Sequence, residues 1–311
     1  MGLVSAAIVG LLVLASWPWW FNRFVLKATT RIVEISALAP ASAPGVQVIG
    51  VNLPKGSEIQ IFDAHADGLP PELKALAVTP VSVRLVASSA TLQSISLPSK
   101  AGLVVRTTFD GGIDIGVLND GSISVALSGT IDRIDGNGKR TTIATIERPT
   151  PWEIRAAGSN PARLVLPPGA APIALYNQPI SDFWFRPPRP AGDDSCTFQS
   201  EILNGELQVL DTGTKIELQP RELVLLEGGS RMLSRLEVID RAITVDVSGE
   251  AKRISVGPPR PGIPFRLDRD LTPSVLSYLF GQHELKLLLG ISLAALGALW
   301  KARQWALGWR K

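Results

Sequence analysis

The chain has 311 residues, room for one or two domains. Charged residues make up 19% of it, below the roughly 25% of soluble domains, and the net charge of +3 comes with no basic block, which argues against a nucleic-acid binder. One cysteine, Cys196, excludes a disulfide within the chain, and a domain of this size buries enough core to fold without one, so cysteine does not choose a compartment.

The low charge traces to the ends. No Asp, Glu, Lys or Arg occurs from Met1 to Asn22. As a helix, the apolar run Gly2 to Phe21 spans about 30 Å, the thickness of a bilayer core. Trp17, Trp19 and Trp20 close it, with Arg23 and Lys27 just beyond, which is the residue order of a membrane interface. No Lys or Arg precedes the run, as a cleaved signal peptide would require. A retained transmembrane helix with its Trp cluster is therefore expected over 1–27.

The middle reads as strand after strand. Val81 to Val86, Ile113 to Val117, Ser122 to Leu127 and Ile243 to Val247 alternate with period two, which puts one face in a core and one in solvent. Asp110-Gly111-Gly112, Asn119-Asp120-Gly121, Asp135 to Gly138, Asn204-Gly205, Asp211 to Gly213 and Gly228-Gly229 supply turn chemistry between them. Near 200–227 the pattern predicts hairpin-linked strands at Gln199–Leu203, Glu206–Leu210 and Lys215–Leu218, then a fourth at Glu222–Leu226. Pro70 to Leu76 predicts one short helix. Eight prolines between Asn160 and Pro190 make that stretch a poor central strand. The expected fold is thus a mainly β extracytoplasmic domain, sandwich- or barrel-like, as one or two subdomains. The expected boundaries are a β subdomain over 28–158, a Pro-rich connection over 159–192, a second β subdomain over 193–256 and a Pro-rich linker and pre-membrane segment over 257–284.

A second transmembrane helix is expected over 285–303, with an uncharged core from Leu287 to Trp300 that snorkelling by Lys286 and Lys301 lengthens. A basic, Trp-containing tail follows over 304–311. Trp300, Lys301, Arg303, Trp305 and Trp309 interleave aromatic and basic residues, again as at an interface. The tail carries no acid, so both termini are expected in the cytoplasm and the domain in the periplasm, with the chain in a bacterial inner membrane. Gly290, Ala294, Ala298 and Ala302 recur every four residues along one helical face, and Ala6 and Gly10 form a shorter version in the first helix. Such small residues let helices approach closely in lipid.

Chemistry is sparsely equipped. The histidines are His65 and His283, too few for the usual nucleophile–base or zinc sets. Asp63, His65 and Asp67 would share one face of a strand and approach a cation, but the following Gly68-Leu69-Pro70-Pro71 supports a solvated polar loop instead. Asp132, Asp135 and Asn137 depart from calcium-loop spacing and fit a hairpin turn. No catalytic, cofactor or metal residues are expected. The expected function is a non-enzymatic accessory or scaffold subunit of an inner-membrane assembly, with membrane lipid and other subunits, or a second copy, as partners and no nucleic acid. The rival is a periplasmic binding module for an envelope glycan or peptide, with Trp152, Phe183, Trp184 and Phe185 as stacking surfaces.

Overall fold

The computed structural model describes residues 21–38, 51–52, 58–65, 81–98, 100–156, 161–168, 173–186, 200–239, 241–259, 267–274, 297–298 and 300–301. Among them are eighteen strands, in chain order β1 (Asn22–Thr30), β2 (Ile32–Ala37), β3 (Val51–Asn52), β4 (Glu58–His65), β5 (Val81–Ser96), β6 (Gly102–Thr107), β7 (Ile113–Leu118), β8 (Ser122–Ile134), β9 (Arg140–Ala156), β10 (Ala162–Leu166), β11 (Ala174–Trp184), β12 (Ile202–Val209), β13 (Thr214–Leu218), β14 (Leu223–Glu227), β15 (Arg231–Ile239), β16 (Ala242–Ala251), β17 (Arg253–Pro259) and β18 (Leu267–Asp270). The domain is mainly antiparallel β-sheet. Fifteen strands join one sheet in the order β13-β12-β1-β16-β15-β11-β2-β6-β7-β10-β4-β9-β8-β5-β3, and β14-β17-β18 form a second.

Period-two patterning drives this assembly. On β1, Phe24, Leu26 and Ala28 are buried while Arg23 and Lys27 face out. On β7 and β8, Ile113, Ile115, Val117, Ile123, Val125 and Leu127 point into the same core. There β4 pairs with both β5 and β9, and β5–β8 and β8–β9 complete the circuit, so these four strands close on themselves. Closure removes sheet edges that would otherwise present unpaired backbone.

The division into sequential subdomains is corrected by the topology. β1 lies between β12 and β16, and β2 lies between β11 and β6, so strands from before and after the Pro-rich stretch alternate. One core cluster runs through both groups, from Leu85 and Ile123 to Val245 and Ile254. The Pro-rich stretch itself supplies β10 and β11. Pro179 fits within β11 because it lies where the contact with β2 runs out, at Ala37 and Leu38, so the missing donor breaks no ladder there.

A second correction concerns Asn204-Gly205, which is no turn. β12 runs straight through it, with Gly205 opposite Ala28 on one side and Leu218 on the other. A Cβ on Gly205 would lie 2.6 Å from the Lys27 carbonyl oxygen, so the glycine serves close backbone approach within a strand. β14 leaves the large sheet instead of extending the β12–β13 hairpin. The other turns stand where the sequence puts them: between β6 and β7, β7 and β8, β8 and β9, β12 and β13, and β14 and β15. At the β8–β9 turn, Asp135 accepts hydrogen bonds from the N–H groups of Asn137 (3.0 Å) and Lys139 (2.8 Å), and Asp132 accepts one from the Thr142 hydroxyl, which gives those acids a local role.

The domain has two poles. β1 runs about 27 Å from Asn22 to Thr30 at about 3.4 Å per residue. At the Asn22 end, Asn22 pairs with Ala251 at the end of β16. The Leu271 N–H donates to the Ile254 carbonyl (2.8 Å), so the chain beyond β18 departs within a few residues of Ala251. Lys252 Nζ sits 5.5 Å over the Phe21 ring. Both ends of the β domain therefore leave from one pole. At the other pole lie Arg31, the β6–β7 turn and Arg241.

The expected first membrane helix is shortened by this geometry, because β1 already begins at Asn22. Its apolar run up to Trp20, with Trp17, Trp19, Ala6 and Gly10, lies outside the described residues, as do Gly290, Ala294, Ala302, Arg303, Trp305, Trp309 and the short helix expected at Pro70 to Leu76. Ala298, Trp300 and Lys301 are helical and exposed. Among the described residues, no helix is long and apolar enough to cross a membrane.

Candidate functional site: an arginine cleft

Two expected interface residues are placed on β1. Arg23 stays at the pole where the chain ends leave, but its guanidinium is committed to Asp211: Nε donates to Oδ1 at 3.0 Å, and the Arg23 N–H donates to Oδ2 at 2.6 Å. Lys27 lies four residues further, about 13 Å along the strand, on the outward face of β1 rather than on a helix. It sits in a lateral row across six strands, Glu217, Glu206, Lys27, Asp246, Arg235 and Tyr176, each opposite the next. Arg235–Asp246 (3.0 Å) closes an ion pair within it, and Lys215, diagonal to Glu206 on β13, pairs with Glu206 (2.7 Å) and offsets the like charges of Glu206 and Glu217. Opposite charges facing one another across strands stabilise a solvent-exposed sheet face.

The aromatic residues of the binding-module reading divide. Trp152, Phe183 and Phe185 are buried core, the last two edge-to-face at 5.5 Å. Only Trp184 is half-exposed, and the Arg186 guanidinium covers its ring at 4.2 Å. These residues do not form a stacking platform. Asp63 and His65 lie on β4, while Asp67 is outside the described residues. Among the described residues, no three His, Cys, Asp or Glu side chains gather as metal ligands.

The arrangement best suited to recognition is a cleft of about 810 Å³ at the pole opposite the chain ends. Four arginines line it: Arg31 at the β1–β2 corner, Arg106 on β6, Arg163 on β10 and Arg241 in the β15–β16 turn. Register explains the inner wall. Arg106 faces Asp114 across β6–β7, and Arg163 reaches the same carboxylate from β10, donating from Nε at 3.2 Å and from Nη2 to the other oxygen. The Phe62 ring lies 5.5 Å from the Arg163 guanidinium. Asp114 is buried, so its pairing with Arg163 is what allows a carboxylate in that wall.

Backbone bonds hold the outer wall. The Thr107 N–H donates to the Arg31 carbonyl at 2.9 Å, and the Thr107 hydroxyl lies within bonding distance of the carbonyls of Arg31 (3.4 Å) and Arg241 (3.0 Å). One buried threonine thus ties three chain segments together. In the adjoining turn, Asp110 accepts bonds from the Thr108 hydroxyl and the Gly112 N–H. Those bonds, the hydroxyl's first, hold the Asp110 carboxyl below the usual range, with the nearby Arg241 charge adding to them. The turn projects Phe109 fully into solvent, 98% exposed, and Ile239 is 52% exposed on the same rim. What this lining offers is cationic donors on a held backbone, with Asp114 and Glu201 among them and apolar side chains on the rim.

Beside the cleft wall, Glu34 on β2 stands between Trp184 and Val104 in register. Burial pushes its carboxyl above the ordinary range, opposed by Arg186 and reinforced by Asp182. A carboxyl raised in the folded state stabilises the fold below its unfolded pKa, and that contribution is lost as pH rises through the folded value. Glu34→Gln is therefore expected to raise the melting temperature at neutral pH, with the gain vanishing as pH falls below the ordinary glutamate range. Parallel melting-temperature profiles of the two proteins across that range would contradict the assignment.

No family model, curated protein or solved structure matches this chain.

Proposed function

We propose that this chain is a non-enzymatic accessory or scaffold subunit of an inner-membrane assembly. In this reading two membrane helices hold the β domain in the periplasm, with both termini in the cytoplasm. The observation that carries it is the shared exit pole. Asn22 faces Ala251, and Leu271 bonds to Ile254, so the described chain leaves the domain on one side at both ends, which supports a reading in which both apolar flanks enter one bilayer. The small-residue stripe Gly290, Ala294, Ala298 and Ala302 then offers a face for close helix packing with other subunits or a second copy. The opposite pole, with its arginine cleft, points away from that bilayer. A glycan-binding module is less well supported, because three of its four candidate stacking rings are core.

Copurification tests the proposal. Full-length chain extracted in mild detergent is expected to retain a reproducible set of membrane partners, or a second copy, through size-exclusion chromatography. A lone chain in its micelle, across several mild detergents, would remove the subunit reading.

A further inference from the structure

We propose that the arginine cleft receives an acidic, leucine- or aromatic-bearing segment of a partner polypeptide, a reading that rests on the subunit role above and names what its free pole binds. Charge comes first. Arg31, Arg106 and Arg241 are exposed and, among the described residues, carry no ion pair, while both oxygens of Asp114 are taken by Arg163. Three guanidinium forks thus face one cleft with donors free. Guanidinium groups bind carboxylates through paired, charge-assisted bonds, and the four arginines outnumber the acids beside them, Asp114 and Glu201 in the lining and Asp110 near Arg241, so the cleft keeps a positive excess that an acidic ligand offsets.

Preorganisation comes second. The carbonyls of Arg31 and Arg241 are held through Thr107, so the backbone carrying two of the forks is fixed before any ligand arrives. Fixing a site in advance lowers the ordering cost of binding.

The apolar rim identifies the class of anion. Phe109 and Ile239 lie on the same rim as the arginines, and Phe109 is 98% exposed on a tight turn. Exposed aromatics beside arginines are the residue types that dominate protein–protein hot spots. A bare polyanion such as polyphosphate has nothing to place on them, whereas an acidic peptide with apolar side chains has. Anionic headgroups of the anchoring bilayer are out of reach, because the cleft stands about 27 Å of strand from the pole where the chain leaves.

The test uses the full-length chain in mild detergent and a short fluorescein-labelled Asp/Glu peptide carrying leucines, read by fluorescence anisotropy. The same peptide with Lys for its acids, the acidic peptide with Ser for its leucines, and inorganic polyphosphate are the comparison ligands. Arg106→Gln and Arg241→Gln are each expected to weaken acidic-peptide binding about ten-fold. Adding Arg31→Gln to both should abolish it, and Phe109→Ser should weaken it, while Lys27→Gln, in the separate charge row, changes nothing. Unchanged thermal melting of each variant certifies its fold. Wild-type affinity in the triple variant would overturn the proposal, as would polyphosphate binding as tightly as the peptide with no effect of Phe109→Ser. Partners that copurify equally with wild type and the triple variant would leave the subunit role standing and remove the cleft's part in it. Cleft-dependent peptide binding by a chain that copurifies with nothing would do the reverse.

Discussion

Gly229→Ala is expected to destabilise the β domain by about 3–5 kcal/mol, against a typical total of about 5–15. Two effects add. Gly229 adopts φ +81°, a left-handed conformation that costs a residue with a Cβ free energy. A Cβ built there would also lie 1.9 Å from the Glu250 carbonyl oxygen and 2.6 Å from its carbon. Both are backbone atoms, in the strand β16 that β15 pairs with, so relief requires moving the sheet. Gly136→Ala is the matched control. It sits in the exposed β8–β9 turn with nothing within 4 Å of its Cβ, and its effect should stay within about 0.5 kcal/mol. Far-UV circular dichroism of the full chain in detergent, followed through denaturant, measures both. Equal midpoints at equal slopes would show that the turn relaxes without cost.

Gly228-Gly229 reads as a turn from its residue types alone, because local backbone chemistry leaves local marks. The alternation of Ile113, Ile115 and Val117 names a strand, though both of its faces turn out to be buried, and Asn119-Asp120-Gly121 names the turn after it, where Asn119 and Asp120 do take positive φ. Pairing between distant strands leaves no such mark. Nothing in Arg23 to Thr30 states that β1 inserts between β12 and β16, some 180 to 220 residues away. The same limit explains Gly205, where a glycine after an asparagine reads as a turn but serves close approach between strands.

The arginine cleft is illegible in the sequence for the same reason. Arg31, Arg106, Arg163 and Arg241 come from four separate stretches of chain, each surrounded by ordinary strand sequence. Only register brings Arg106 opposite Asp114 and Arg163 beside it, and only the Thr107 bonds bring the Arg31 and Arg241 segments together. One signal is present. Phe109 stands in a polar turn sequence, Thr107-Thr108-Phe109-Asp110-Gly111, where a large apolar side chain has no core to enter. An aromatic at a turn tip is a hint of recognition, and it points to the pole that carries the cleft.

Arg231→Ala is expected to cost about 3–5 kcal/mol, the range for breaking a buried, hydrogen-bonded charge. The guanidinium is buried under the β14–β15 turn and serves as its donor. It donates to the carbonyls of Ser181 and Leu226, lies 3.4 Å from that of Gly228, and stands 3.5 Å from the Asp182 carboxylate. Burial pushes its pKa down while Asp182 opposes that, so the carbonyl bonds are what make a charge tolerable there. Alanine would leave those carbonyls without a donor and a void beside them, at about 1–3 kcal/mol for each unsatisfied buried group. Two further variants separate the causes. Arg231→Met keeps most of the volume and none of the donors, and Arg231→Lys keeps the charge but has no fork to span β11 and the turn. The order expected is wild type, then Lys, then Met, then Ala, read as denaturant midpoints at equal slope. Full rescue by Met would mean that packing alone fixes this corner. Gly229 and Arg231 hold the same turn, so the double variant Gly229→Ala/Arg231→Ala should lose less than the two single losses combined. Strict additivity would mean that the glycine's backbone geometry and the arginine's carbonyl bonds support the β14–β15 connection independently, and the turn would then not be a single unit.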